Sequence, residues 1–136
     1  MYQIKRSEKL RDTLELCGED GNPAATLVFT LDIDAVAGEL RRNIADITAA
    51  EKALKKAASD KDYGEAYAQY GRAVDGIFAV CFGAENARRI AEFFEGNYIE
   101  MSFAIVPYIY EVILPRVNES LKRRREQLKN IYRARG

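Results

Sequence analysis

Over the first thirty-three residues the apolar positions alternate with polar ones, and beyond them they recur every three or four residues. Leu10, Leu14 and Leu16 share one parity, and so do Ala25, Leu27, Phe29, Leu31 and Ile33. A period of two places one face of an extended segment against a core and the other in water. Between the two runs lies Gly18-Glu-Asp-Gly21-Asn-Pro23, a cluster of turn formers. The pattern predicts a β-hairpin with strands near 10–17 and 25–33. Asp12 breaks the parity of the first strand and makes it the weaker of the two, while Tyr2-Gln-Ile4 offers a short edge segment.

The period then changes. Val36, Leu40, Ile44, Ile47 and Leu54 fall on one stripe of a helix, with Arg41, Arg42, Asp46, Glu51, Lys52 and Lys55 on its other sides. Asp32 or Asp34 stands where an N-cap belongs, and the helix is expected to end near Ala58. Ser59 with Asp62 three residues later resembles a capping box for a second helix. That helix places Tyr63, Tyr67, Tyr70, Val74, Ile77, Phe78 and Cys81 on one face. Gly64, Gly71 and Gly76 each weaken it by ~1 kcal/mol relative to alanine if interior, but a glycine on a packed face also lets a neighbour come close.

The stretch from Phe78 to Tyr98 is the elbow of the chain. The second helix stops at Gly83, a short helix carries Ile90, Phe93 and Phe94, and Gly96 stops it in turn. Asn97 then caps a third helix, with Glu100 positioned to answer it. In this last segment Tyr98, Met101, Ile105, Ile109, Val112 and Ile113 form the apolar face. Pro107 and Pro115 remove hydrogen bonds from its ladder, which predicts a bend at the first and a bend or joint at the second. Beyond Pro115, Val117, Leu121, Leu128 and Ile131 follow a four-three repeat, with Arg124 where an apolar residue would belong. The expected fold is α+β in a single domain, 1–136. An N-terminal hairpin (1–33) leads into a mainly antiparallel helical core (34–115) with a long Pro-kinked C-terminal helix, which ends in a basic helical arm (116–136).

Charge sharpens this picture. Basic and acidic side chains number 21 each, yet from Arg116 onward eight basic residues face only Glu119 and Glu126. The tail therefore carries +6 and the preceding 115 residues −6, an asymmetry that speaks of partners or self-association rather than of fold. Histidine is absent, which excludes Ser-His-Asp and Cys-His catalysis and the commonest metal ligand. Cys81 lies in the apolar run Ile77–Phe82 and reads as a small hydrophobe, and with Cys17 it makes no metal-type pair. Asp32 with Asp34, and Asp60 with Asp62, stand at helix starts, where capping and the helix dipole account for them. No phosphate loop, zinc spacing or nucleophile elbow occurs, so neither catalysis nor a cofactor is expected. No charged-then-apolar leader and no uninterrupted apolar run of about 18 residues is present, and a cytoplasmic protein without a membrane partner is expected.

Two features are left as candidates for binding. Eleven of the fourteen Phe and Tyr residues lie between Tyr63 and Tyr110. Phe78, Phe82 and Phe93 read as core, whereas Phe94, Tyr98, Tyr108 and Tyr110 are candidates for a groove that takes a partner helix. The second is the run Lys122-Arg123-Arg124-Arg125, continued by Lys129. It reads as a solvated helix end, as an arm for an acidic protein surface such as another copy's body, or as a nucleic-acid contact. Only Tyr132 offers a stacking ring there, and the balanced total charge argues against nucleic acid.

Phe82-Gly-Ala-Glu-Asn86, Ala91-Glu-Phe-Phe-Glu-Gly-Asn-Tyr-Ile-Glu-Met101, Pro107 and Val112-Ile-Leu-Pro115, with Tyr70-Gly-Arg-Ala-Val74 before them, follow one another in a characteristic order. In this order the chain resembles small prophage proteins of Gram-positive bacteria related to siphovirus tail assembly chaperones. The resemblance implies non-catalytic work in the bacterial host cytoplasm. Such proteins hold the long tape measure protein soluble while tail tube subunits polymerise around it. In many phages a longer, frameshifted form recruits the tail tube protein, and the charged ending here is compatible with the short form. The implied partners are the tape measure protein, the tail tube protein and further copies of the chain. The alternative is a nucleic-acid-associated accessory protein that uses the basic arm.

Overall fold

The alternating runs form a two-stranded antiparallel sheet, β1 (Leu10–Cys17) and β2 (Pro23–Leu31), in register from Leu10 opposite Leu31 to Leu16 opposite Ala25. The structure is a computed structural model and describes residues 1–135, with side chains through Arg133. Gly136 and the side chains of Ala134 and Arg135, which end the expected basic arm, lie outside the described residues. The hairpin turn closes through a hydrogen bond from Gly21 N–H to the Gly18 carbonyl (2.9 Å), with Gly21 at φ +79°. Only a residue without Cβ takes that left-handed angle freely. The second strand begins two residues earlier than its parity predicts and ends two earlier, because Asp32 leaves the sheet to cap the next helix. Tyr2-Gln-Ile4 forms no edge strand; residues 1–9 have no regular secondary structure, and Met1, Tyr2 and Ile4 are all exposed.

Three side-chain caps and one glycine set the helix starts. Asp32 accepts from Ala35 N–H (3.3 Å) at the head of α1 (Ile33–Lys56). Ser59 accepts from Asp62 N–H (3.1 Å) at the head of α2 (Asp60–Phe82). Gly83, at φ +91°, ends α2 and opens α3 (Ala84–Phe93), and Asn97 accepts from Glu100 N–H (3.1 Å) to open α4 (Tyr98–Tyr108). A π-helical turn (Ile109–Ile113) then joins α4 directly to α5 (Leu114–Arg135). Of the bend or joint expected at Pro115, a joint is not what forms: one helical path passes both prolines, and the ladder widens to i→i−5 between them, with Leu114 N–H donating to the Ile109 carbonyl.

α1 and α2 form an antiparallel hairpin, tied where the Asn43 amide donates to the Gly76 carbonyl (3.5 Å). α5 packs back along α1 in the opposite sense, bringing Ser120 and Arg124 to Asp34. α2 and α4 run parallel, as shown by Tyr98 over Gly71, Ser102 beside Tyr70 and Tyr108 beside Phe82. The short α3 makes the return that parallel packing requires. The inner face of the sheet closes one end of this bundle, with Phe29 edge-on to Phe82 at 5.0 Å. The core runs continuously from Leu27 and Phe29 through Leu40, Ile47, Val74 and Phe78 to Ile109 and Val117. Val117 and Ser120 are buried, so the helical body extends into the segment expected to be a free arm, which leaves the body only after Leu121.

Candidate partner-binding surface

The structure does not gather the four aromatic residues proposed for one groove: Phe94 and Tyr108 line a common recess, while Tyr98 and Tyr110 lie elsewhere. Tyr108 is half-buried between Phe29 and Phe82, and its hydroxyl donates to Asp12 Oδ2 (2.6 Å). This bond holds the Asp12 carboxyl below its usual range, while burial and the same carboxylate push the tyrosine up. Tyr108 is thus a structural partner that explains how an acid can stand on the inner face of β1. Tyr98 is half-buried over Gly71, with its hydroxyl donating to Asp75 (3.0 Å) and its ring against Tyr67. Phe94 packs edge-to-face on Phe93 and lines an open recess of about 260 Å³ under β1, with Leu14, Leu16, Ala104 and Tyr108. Tyr110 alone faces outward, 38% exposed, beside Glu51 and Tyr70.

On that side of the molecule α1 and α4 leave a furrow of about 340 Å³. Leu54 forms one wall, Ile99 and Phe103 the other, and Tyr70 the floor, with Glu51 and Lys55 at the rim. The floor is fixed by a buried hydrogen bond between the Tyr70 and Ser102 hydroxyls. Phe103 is the residue that sequence reasoning missed. It is 77% exposed, although a phenylalanine in so apolar a helix reads at first as core. Its signal is phase: Met101, Ile105 and Ile109 define the buried stripe, and Phe103 lies off it. Phe103 and Tyr110, seven residues apart, both stand on the exposed side of this helical path.

The basic residues also divide. Arg124 is not free for a partner: its guanidinium bonds Asp34 (2.6 Å), Ser7 (2.5 Å) and Gln127 (2.9 Å). The bond from Arg124, with that from Ser120, holds the Asp34 carboxyl below the ordinary carboxylate range. These groups border a polar recess of about 420 Å³ together with Arg116 and Arg123. Arg123, Arg125 and Lys129 are exposed, and they share the distal part of α5 with exposed Leu128, Ile131 and Tyr132. That end of α5 is amphipathic as well as basic.

Burial pushes the Cys81 thiol up to about 12, which leaves it un-ionised at neutral pH. Among the described residues no group of three or more His, Cys, Asp or Glu could hold a metal ion. The helical path Tyr98–Arg133 is long and apolar enough to cross a membrane by length and composition alone. Its stripe from Met101 to Val117 is instead buried within the core, which is compatible with a soluble protein. Comparison of the chain with protein-family models, curated proteins and solved structures gives no match to any of them.

Proposed function

We propose that this protein is a tail-assembly-chaperone-like binder that shields apolar helical surface of a tape measure protein in the bacterial cytoplasm, without catalysis. The observation that carries the reading is the furrow between α1 and α4, with Phe103 standing 77% exposed on its wall. A partner helix laid along it would bury Phe103, Leu54 and Ile99 under its own apolar stripe, with Glu51 and Lys55 free to pair at the rim. Tyr110 extends the same contact. The exposed cations Arg123, Arg125 and Lys129 provide a second, weaker handle for acidic surface on the tape measure protein, on the tail tube protein or on another copy.

Co-expression with the tape measure protein tests the proposal. A soluble complex is expected, and Phe103→Asp should weaken it by about thirtyfold or more. Full burial of a phenylalanine is worth about 1.5–3 kcal/mol, and a carboxylate in its place adds a desolvation cost. If the two proteins behave identically alone and together, or if Phe103→Asp binds as the wild type does, the reading fails. Retardation of RNA or DNA that disappears steeply with salt and after truncation beyond Leu121 would favour the nucleic-acid reading instead.

A further inference from the structure

The two edges of the sheet are treated differently. Along β2 the outward carbonyls of Val28 and Thr26 are occupied by α3: Asn86 donates to the first (2.9 Å) and Arg89 to the second (3.2 Å). Because those carbonyls point away from β1, the register partners Thr13 and Glu15, and Arg11 with them, present their backbone groups at the opposite edge. No element pairs with that edge among the described residues. Its one satisfied group is Thr13 N–H, which donates to Asp12 Oδ1 (2.8 Å). The recess lined by Leu14, Leu16, Phe94 and Ala104 lies against this strand. An open edge above an apolar recess invites a further strand.

We infer that the strand which adds here is β1 of a second copy, paired antiparallel about a two-fold axis through Thr13, whose N–H exchanges Asp12 Oδ1 for the partner strand's carbonyl. The sequence of β1 is self-complementary in that register. Leu10 falls opposite the partner's Leu16, and Arg11 opposite the partner's Glu15, each pair occurring twice by symmetry. Arg11 and Glu15 are exposed on the outer face and make no ion pair among the described residues. Facing one another across the axis, they place opposite charges in directly opposed cross-strand positions. The inner-face leucines extend the apolar layer of one hairpin into that of the other. Asp12 meets the partner's Leu14 and is the one unmatched pair, but it already has the Tyr108 hydroxyl. The result is a continuous four-stranded sheet whose remaining outer edges are the β2 edges that Asn86 and Arg89 already cover.

The register makes a test that does not depend on the tape measure protein. Sedimentation of the full chain should show a dimer. Arg11→Glu and Glu15→Arg, each alone, oppose like charges twice and should weaken dimerisation by about tenfold or more. Mixed in equal amounts, the two variants restore both opposite-charge pairs, so a heterodimer should form with wild-type affinity. Two misfolded variants could not rescue one another in this way. A wild type that stays monomeric would overturn the proposal. Dimerisation that neither reversal affects would overturn it in favour of another face, such as the distal end of α5.

Discussion

At Gly71 one missing carbon decides how two helices meet. A Cβ there would lie 2.9 Å from two ring carbons of Tyr98, inside contact distance. The ring cannot swing clear without cost, because Asp75 holds its hydroxyl and Tyr67 lies against it. Gly64, on the same helix, has nothing within 4 Å of the corresponding point. The two glycines should therefore respond to alanine with opposite signs. Gly64→Ala gains up to ~1 kcal/mol of helix propensity. Gly71→Ala gains the same propensity but forces an overpacking that costs about 1–3 kcal/mol, and the net should be a loss. Chemical denaturation midpoints of the two variants measure this, and a stabilised Gly71→Ala would mean that the Tyr98 ring is loosely held. The sequence already contained the possibility of close approach at a packed glycine. It could not say which glycine, since Gly71 and Tyr98 are brought together only by the return through α3.

At the level of the element, the path from Asn97 to Arg135 depends on one widened turn. Its buried stripe, Met101, Ile105, Ile109, Ile113 and Val117, repeats every four residues without exception. An α-helix advances about 100° per residue, so a strict four-residue repeat drifts about 40° per step and about 160° over the stripe. The π turn at Ile109–Ile113 absorbs one extra residue and cuts that spread to about 80°. Deleting exposed Glu111 should therefore be tolerated, with the turn relaxing to α and α5 keeping its phase. Deleting Asn118, in regular helix, should rotate everything after it by about 100° and destroy the Arg124–Asp34 contact. Thermal melts of the two deletions decide the matter, and equal tolerance or equal damage would refute the account. The helix starts were legible because their signals are local, as with Ser59 and Asp62 or Asn97 and Glu100, three residues apart. The hairpin was legible for the same reason. The π turn was encoded in the four-residue stride, but two prolines drew attention to breakage instead. Asp12 looked like an error of parity because its partner Tyr108 is 96 residues away.

In the whole molecule the charge asymmetry between body and tail is partly discharged internally. Asp34 at the start of α1, Arg124 on α5 and Ser7 in the N-terminal segment form one cluster that joins three distant parts of the chain. That is why Arg124 interrupts the apolar repeat of α5, and it is also why reading the basic run as one uniform arm went too far. Only Arg123, Arg125 and Lys129, of the four residues singled out, keep exposed charge for a partner. The cluster has a definite pH signature. Folding lowers the Asp34 carboxyl, first through the hydrogen bond from Arg124 and then through that from Ser120. Its contribution is complete above the unfolded aspartate value of about 3.9 and disappears as pH falls through the lowered folded value. Asp34 and Arg124 are both about two-fifths exposed, so solvent screening keeps that contribution small. Asp34→Asn should accordingly lower stability modestly and by the same amount throughout pH 6 to 8, and converge with the wild type in acid. At neutral pH, amide exchange in the variant should rise in the part of α5 beyond Leu121, with the sheet and α2 unaffected. A uniform rise over the whole chain would mean that the cluster supports the global fold. A local rise identifies it as the clasp that decides how far the amphipathic end of α5 is free to reach.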